Sequence, residues 1–411
     1  MSEYLSQGLD YYKATMGQLE FEKHPDAEVT FALKNRSPER PLSEYLTPEI
    51  IRQRLAELEH GWQPEELAYL AGLQNQDGDA QFSEEYLDFL ADNDLPPVEV
   101  GYDETGEISV TVTGPWPLVT FWETVVMSEI NELYFREKLA EDGTDLEALY
   151  QEGDRRLDEK IARLQARPDI KFSDFGTRRR FSYNWQKHVI ERVAHELPVN
   201  FVGTSNIYLA HELGLKPIGT FAHELPMVYS ALEDKAGGDP LDGHNRVLQD
   251  WQELYRGDLS TALTDTFTSE FFFTDMTPKQ ATQWKSLRHD SGDPFEFGDR
   301  VIAFYENLDI DPQEKSIVFS DGLDIDHIIE LADYFKDKIT VTFGWGTTLT
   351  NDLGIRPNNI VMKAVAADGI STVKLSDNEG KHTGDPEKIE AYTFLKDQRI
   401  GRAALRDMVS L

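Results

Sequence analysis

Hydrophobic positions along the chain follow two different rhythms. From about residue 171 to 354, short apolar runs break into turns of Gly, Asp or Ser, and nearly all of them lead into helical stretches. The runs are Lys171-Phe-Ser-Asp, Phe201-Val, Pro217-Ile218, Leu259 to Thr264, Ser286-Leu-Arg-His, Ser316-Ile-Val-Phe and Thr340-Val-Thr-Phe. Strand, turn and helix in alternation is the pattern of parallel β/α units, and this many of them suits an irregular β/α barrel better than an open sheet. Flanking segments alternate with period two instead. Glu28 to Leu33, the hairpin from Val98 to Gly114, and residues 360–376 read as strands. Residues 47–94, Trp116 to Arg136, 141–168 and the tail from Pro386 read as helices, the second of them apolar enough to lie buried between domains. The expected fold is α/β: an irregular β/α barrel (137–354) and an α+β sandwich-like domain (1–136, completed by strands within 355–411).

Composition then narrows the function. The 411 residues carry no Cys and a formal charge of -35. Disulfides, thiolate metal sites and a cysteine nucleophile are excluded, and such a surface repels nucleic acid and anionic membranes. The start of the chain has no secretory pattern and no run is long enough to span a bilayer, so the expectation is a cytoplasmic protein. Any anion pocket must be basic against the overall field. The cations that stand beside turns are Lys34, Arg36, the run Arg178-Arg179-Arg180, and Arg288.

Strands of a β/α fold present their ligand-binding groups at their carboxyl ends. There the sequence offers Asp174, Ser205, His223, Asp265, Arg288, Asp290, Asp321 and Asp324. Carboxylates bind sugar hydroxyls or Mg²⁺, forked arginines clamp phosphate, and Gly322, Gly344 and Gly346 expose amides to an anion. Pattern alone reaches a barrel enzyme acting on a sugar phosphate. No Walker motif and no dinucleotide fingerprint is present.

Taken together, Asp10-Tyr-Tyr-Lys-Ala-Thr-Met, Asp174-Phe-Gly-Thr-Arg-Arg-Arg-Phe-Ser, Phe201-Val-Gly-Thr-Ser-Asn, Gly219-Thr-Phe-Ala-His-Glu, Tyr255-Arg-Gly-Asp-Leu, Leu287-Arg-His-Asp-Ser-Gly-Asp-Pro-Phe, Ile317-Val-Phe-Ser-Asp-Gly-Leu-Asp and Val373-Lys-Leu-Ser-Asp resemble the nicotinate phosphoribosyltransferase family. The resemblance implies a type II phosphoribosyltransferase that joins nicotinate to phosphoribosyl pyrophosphate in NAD salvage. It also implies Mg²⁺, ATP hydrolysis through a phosphohistidine, and a homodimer with shared sites. In that frame His223 is the phospho-acceptor, Asp265 its orienter, Arg288 with Arg178 the stabiliser of the leaving pyrophosphate, and Asp290 the ribose ligand. Phe175 from one subunit and Tyr12 from the other wall the pyridine ring, with Tyr11 as competitor for the latter place. The amides after Asp321-Gly322 and around Gly344, Gly346 and Thr347 receive the 5′-phosphate. Lys34, or Arg36 beyond it, reaches the partner's phosphates; relatives have Arg where this chain has Lys34. His289 has a structural role and the remaining histidines surface or structural ones. No metal ligands are assigned.

Ser205 carries substrate choice in this reading. Relatives that use nicotinamide have an aspartate there, which would repel a carboxylate, whereas a hydroxyl can donate to one. The alternatives are a nicotinamide-using homologue, a quinolinate phosphoribosyltransferase, a sugar-phosphate aldolase or isomerase, and a ligand-binding scaffold without activity.

Overall fold

In the computed structural model, which describes residues 3–409, the two rhythms separate into two sheets. The first is antiparallel and built from both ends of the chain. β1 (Glu28–Asn35) is central, between the hairpin β2 (Glu99–Tyr102) and β3 (Ile108–Pro115) on one side and the late strands β10 (Ile360–Ala367) and β11 (Ile370–Ser371) on the other. The second is parallel. β4 (Phe172–Asp174), β5 (Phe201–Thr204), β6 (Thr261–Leu263), β7 (Ser286–His289), β8 (Ser316–Phe319) and β9 (Thr340–Trp345) lie in the order β5-β4-β9-β8-β7-β6. Every connection within it is a crossover, as parallel strands require.

The parallel sheet departs from the expected strands at one point. The run at Pro217-Ile218 makes only one parallel bridge, Thr204 to Pro217, rather than a strand. Pro217 lacks an N–H to donate, which limits its pairing in a ladder. No ladder among the described residues joins that end of the sheet to β6.

Four helices position the site: α1 (Tyr11–Lys23), α2 (Trp122–Glu141), α3 (Glu224–Lys235) and α4 (Pro386–Val409). α2 is buried on every face from Trp122 to Phe135, because it packs both on β10 and on the turn at Thr177–Arg179. It is the apolar layer between the two sheets. α3 begins directly after His223, which sits at the helix cap position. α4 closes a smaller satellite core through Tyr392. No helix among the described residues is long and apolar enough to cross a membrane.

Candidate functional site

At the carboxyl ends of the parallel strands lies a cavity of about 310 Å³ lined by, among others, Asp10, Tyr12, Phe175, Arg178, Ser205 and Arg288. Two glycines make its aromatic walls possible. A Cβ at Gly344 would stand 2.3 Å from Phe175 Cε2, and one at Gly219 would stand 2.9 Å from the backbone N of Tyr12. Each ring is faced by a guanidinium: Arg288 is 5.6 Å from the Phe175 ring centre and Arg178 is 5.9 Å from that of Tyr12. Tyr12 and Phe175 of the same chain both line the cavity. Tyr11 also lines the cavity, but its ring packs edge-on against Phe82 at 6.1 Å.

At Gly344 the missing side chain leaves room for Phe175, and the backbone pairs with β4 in the ladder. Gly346 caps the short helix that Thr347 opens, and both are half-buried. Gly322, exposed and with φ of 63°, follows β8 in open space.

Ser205 is buried against the first turn of α1. Its Oγ donates to Asp10 Oδ1 at 2.6 Å, and its carbonyl accepts from the Tyr11 N–H. The hydroxyl proton is thus engaged by a carboxylate that sequence reading had left without a role. Asp10 is buried, which raises its pKa above the ordinary value, and its other oxygen is 3.6 Å from Arg178 Nε. Asp174, at the end of β4, is structural. It accepts from Thr204 Oγ1 (2.7 Å), the Gly176 N–H (2.8 Å) and Gln186 Nε2 (2.9 Å), while burial moves it up to about 6.

The second cluster centres on His223. Its Nδ1 is 2.9 Å from Thr266 Oγ1, and its Nε2 is 3.1 Å from Asp290 Oδ2 and 3.5 Å from Asp265 Oδ1. Lys374, in the C-terminal part of the chain, brings Nζ to 2.8 Å from the same Nε2 and 3.2 Å from Asp265 Oδ2. Burial, then the Lys374 charge, lowers the imidazole below its ordinary value. Burial would raise Asp265, but Lys374 and His223 outweigh it and hold the carboxylate at about 2. For Asp290 the same contest is won by Arg288 and His223, which keep it well below the usual carboxylate range. Arg288 itself is fixed by Nη2 to Asp290 Oδ1 (3.1 Å) and Nε to Ser320 Oγ (2.8 Å).

His223, Asp265 and Asp290 place ligand atoms within 4.8 Å of one another. They fit a resident Mg²⁺ poorly, because the Lys374 ammonium already neutralises that space and Mg²⁺ wants near-octahedral oxygen. The one buried oxygen of the trio without a hydrogen-bond partner, Asp265 Oδ1, faces the imidazole at 3.5 Å.

Around this trio the field turns positive, as an anion site in so acidic a chain requires. Lys363 of β10, half-buried Arg36 and Arg179 approach Asp290 and Asp321. Arg179 is lowered to about 10 by burial and by Arg178 and Arg36. Lys381 pairs with Asp321 at 2.7 Å and donates to the Asp290 carbonyl at 3.2 Å. Of the two basic residues following the Phe31 strand, Arg36 faces this region of its own chain. Lys34 is exposed on β1, opposite Val361 and diagonal to Lys363 on the same sheet face. Sequence reading missed Lys374, Lys363 and Asp10. Lys363 had a signal, as the lysine inside the apolar strand Ile-Val-Met-Lys-Ala-Val.

Family models agree with this layout. The nicotinate phosphoribosyltransferase (NAPRTase) family matches residues 170–404 and the NAPRTase N-terminal domain matches residues 9–131. A nicotinate phosphoribosyltransferase of Chromobacterium violaceum is 39% identical over 394 residues, covering 93% of this chain and 94% of the relative. One of Acinetobacter baylyi is 38% identical over 397 residues, covering 93% of each. Among solved structures, nicotinate phosphoribosyltransferase from Porphyromonas gingivalis superposes with a TM-score of 0.84 at 32% identity, covering 97% of this chain and 100% of that one. The Vibrio cholerae enzyme gives 0.85 at 32%, covering 98% and 97%.

Proposed function

The chain belongs to the nicotinate phosphoribosyltransferase family, and from that premise we propose that its cavity joins nicotinate to phosphoribosyl pyrophosphate, yielding nicotinate mononucleotide and pyrophosphate for NAD salvage, with ATP hydrolysis coupled through His223. The observation that carries the reading is the adjacency of two features. A slot with two aromatic walls, each faced by a guanidinium, opens beside the basic His223–Asp290 cluster.

A pyridine ring between Phe175 and Tyr12 gains flat apolar contact, while Arg178 offers a forked donor to its carboxylate. Its ring nitrogen attacks the ribose anomeric carbon, forming the N–C bond as the bond to pyrophosphate oxygen breaks. The transition state has oxocarbenium character, so the ionised Asp290 serves both to accept ribose hydroxyls and to stabilise developing positive charge. Arg288, locked onto Asp290 and Ser320, meets the departing pyrophosphate. Lys363, Lys374, Arg36 and Arg179 supply the remaining positive field. Mg²⁺ in this reading enters as the counter-ion of the polyphosphate. At His223 the neutral imidazole attacks the ATP γ-phosphorus, the bond to ADP breaks, and Asp265 and Lys374 orient the ring.

The enzyme is read as a homodimer with shared sites, in which Tyr12 and Phe175 wall the ring slot. Ser205 favours nicotinate over nicotinamide, because an aspartate in its place would add a second carboxylate beside Asp10. The deciding experiment is pyrophosphate release from nicotinate, nicotinamide and quinolinate, each with and without ATP. Nicotinate is expected to lead and ATP to stimulate it. Preference for either other acid or amide overturns the substrate, and a nicotinate rate indifferent to ATP overturns the coupling.

A further inference from the structure

Behind the cavity wall a buried chain of ions runs from Arg178 away from the reacting groups. Arg178 Nη1 is 3.8 Å from Glu123 Oε1, Glu123 Oε2 is 2.5 Å from Lys13 Nζ, and Lys13 pairs in turn with Glu224. The Lys13 side chain is 0% exposed and that of Glu224 3%. Glu224 Oε1 also accepts from Trp116 Nε1 at 2.7 Å and Thr120 Oγ1 at 2.8 Å. Every link stands next to a group of the site. Lys13 follows Tyr12 in sequence and holds Nζ 5.5 Å from its ring centre; Glu224 follows His223; Arg178 faces the cavity.

A buried ion chain is seldom the most stable way to fill a core, since well-packed apolar residues often do as well, whereas removing one partner is costly. What it provides here is a fixed distance. Glu224 is the first residue of α3 and His223 its cap, while Lys13 lies in the first turn of α1. The pair therefore ties the two helix starts together at charged, well-hydrogen-bonded atoms.

We propose that Lys13, acting through Glu224, is a positioning residue that holds His223 in register with the Tyr12 wall, so that phosphate transfer at the histidine stays tied to occupancy of the ring slot. This rests on the reading of His223 as phospho-acceptor. The test is the number of ATP molecules hydrolysed per nicotinate mononucleotide formed, a ratio that a merely structural role would leave alone. In Glu224→Gln, which removes the charge and keeps the shape, the ratio is expected to rise about tenfold, equivalent to ~1.4 kcal/mol of lost positioning. Glu224→Asp should fall between the variant and the native protein. A ratio equal to the native one, however far both rates drop, overturns the proposal. Where Glu224→Gln does not fold, the double substitution Lys13→Met with Glu224→Gln removes both charges, and its ratio is read the same way. A native protein that forms the mononucleotide without hydrolysing ATP overturns the phosphohistidine reading itself, and the proposal falls with it.

Discussion

The ammonium of Lys374 stands 2.8 Å from Nε2 of His223. A cation at that distance disfavours a second positive charge on the ring and adds to the lowering that burial begins. The histidine is thereby kept neutral and nucleophilic further into the acid range than an ordinary imidazole.

Because Lys374 pulls the His223 pKa down, Lys374→Met should let it rise, and the acid limb of the ATP hydrolysis profile should move to higher pH. Activity near neutral pH then falls as protonated imidazole accumulates. The check is the pH dependence of kcat for ATP hydrolysis in both proteins. A limb that keeps its midpoint would show that some other group controls it.

Gly344 offers a test of the ring slot free of charge effects. A methyl group there would meet Phe175 at 2.3 Å, so the ring must swing into the cavity or β9 must shift. Overpacking of this kind costs about 1–3 kcal/mol. Gly344→Ala should therefore raise KM for nicotinate by about tenfold or more, at ~1.4 kcal/mol per decade, and leave KM for phosphoribosyl pyrophosphate close to native. Parallel rises in both constants would place the damage in the sheet instead.

How much of this was legible beforehand depended on whether a residue acts through its own segment or through a distant one. The βα rhythm gave β4 to β9 because each short strand is bounded by its own turn, and Asp265, Arg288 and Asp290 followed from standing at or beside those turns, whereas the strand expected before His223 makes only a single bridge. Lys374 and Asp10 did not follow, although both lie in motifs visible in the chain. Their meaning comes from long-range contacts, Lys374 with His223 and Asp10 with Ser205, that no local period encodes. Gly344 shows the same dependence: its place against the ring of Phe175 is a long-range contact that no local period encodes.

Ser205 can be tested with the Asp10 contact in view. Its hydroxyl donates to Asp10 at 2.6 Å, so Ser205→Asp would set two carboxyls side by side in a buried place and in front of an anionic substrate. Like charges in such a site are strongly disfavoured. The expected outcome is a loss in kcat/KM for nicotinate of about 100-fold, ~2.7 kcal/mol, and a much smaller loss for nicotinamide. Equal losses would remove Ser205 from any part in choosing the substrate.

Lys363 links pH to phosphate binding. Burial, then the charges of Lys374 and Arg36, lowers it from the ordinary 10.5 to about 7, and its Nζ donates to Thr383 Oγ1 at 3.1 Å. Between those two pH values the unfolded chain binds a proton that the folded one releases, so this group costs stability at low pH, and the cost shrinks as pH rises from 7 toward 10.5. A bound polyphosphate reverses the balance by supplying the missing anion, which favours the charged lysine. Binding of pyrophosphate at pH 8 should therefore take up close to one proton, by this linkage, and its affinity should weaken as pH climbs above 7. Calorimetry in buffers of different ionisation enthalpy measures the uptake directly. Lys363→Met should reduce it to nearly zero and flatten the pH dependence of affinity. If the methionine variant takes up as many protons as the native protein, the titrating group lies elsewhere and Lys363 is not the phosphate ligand.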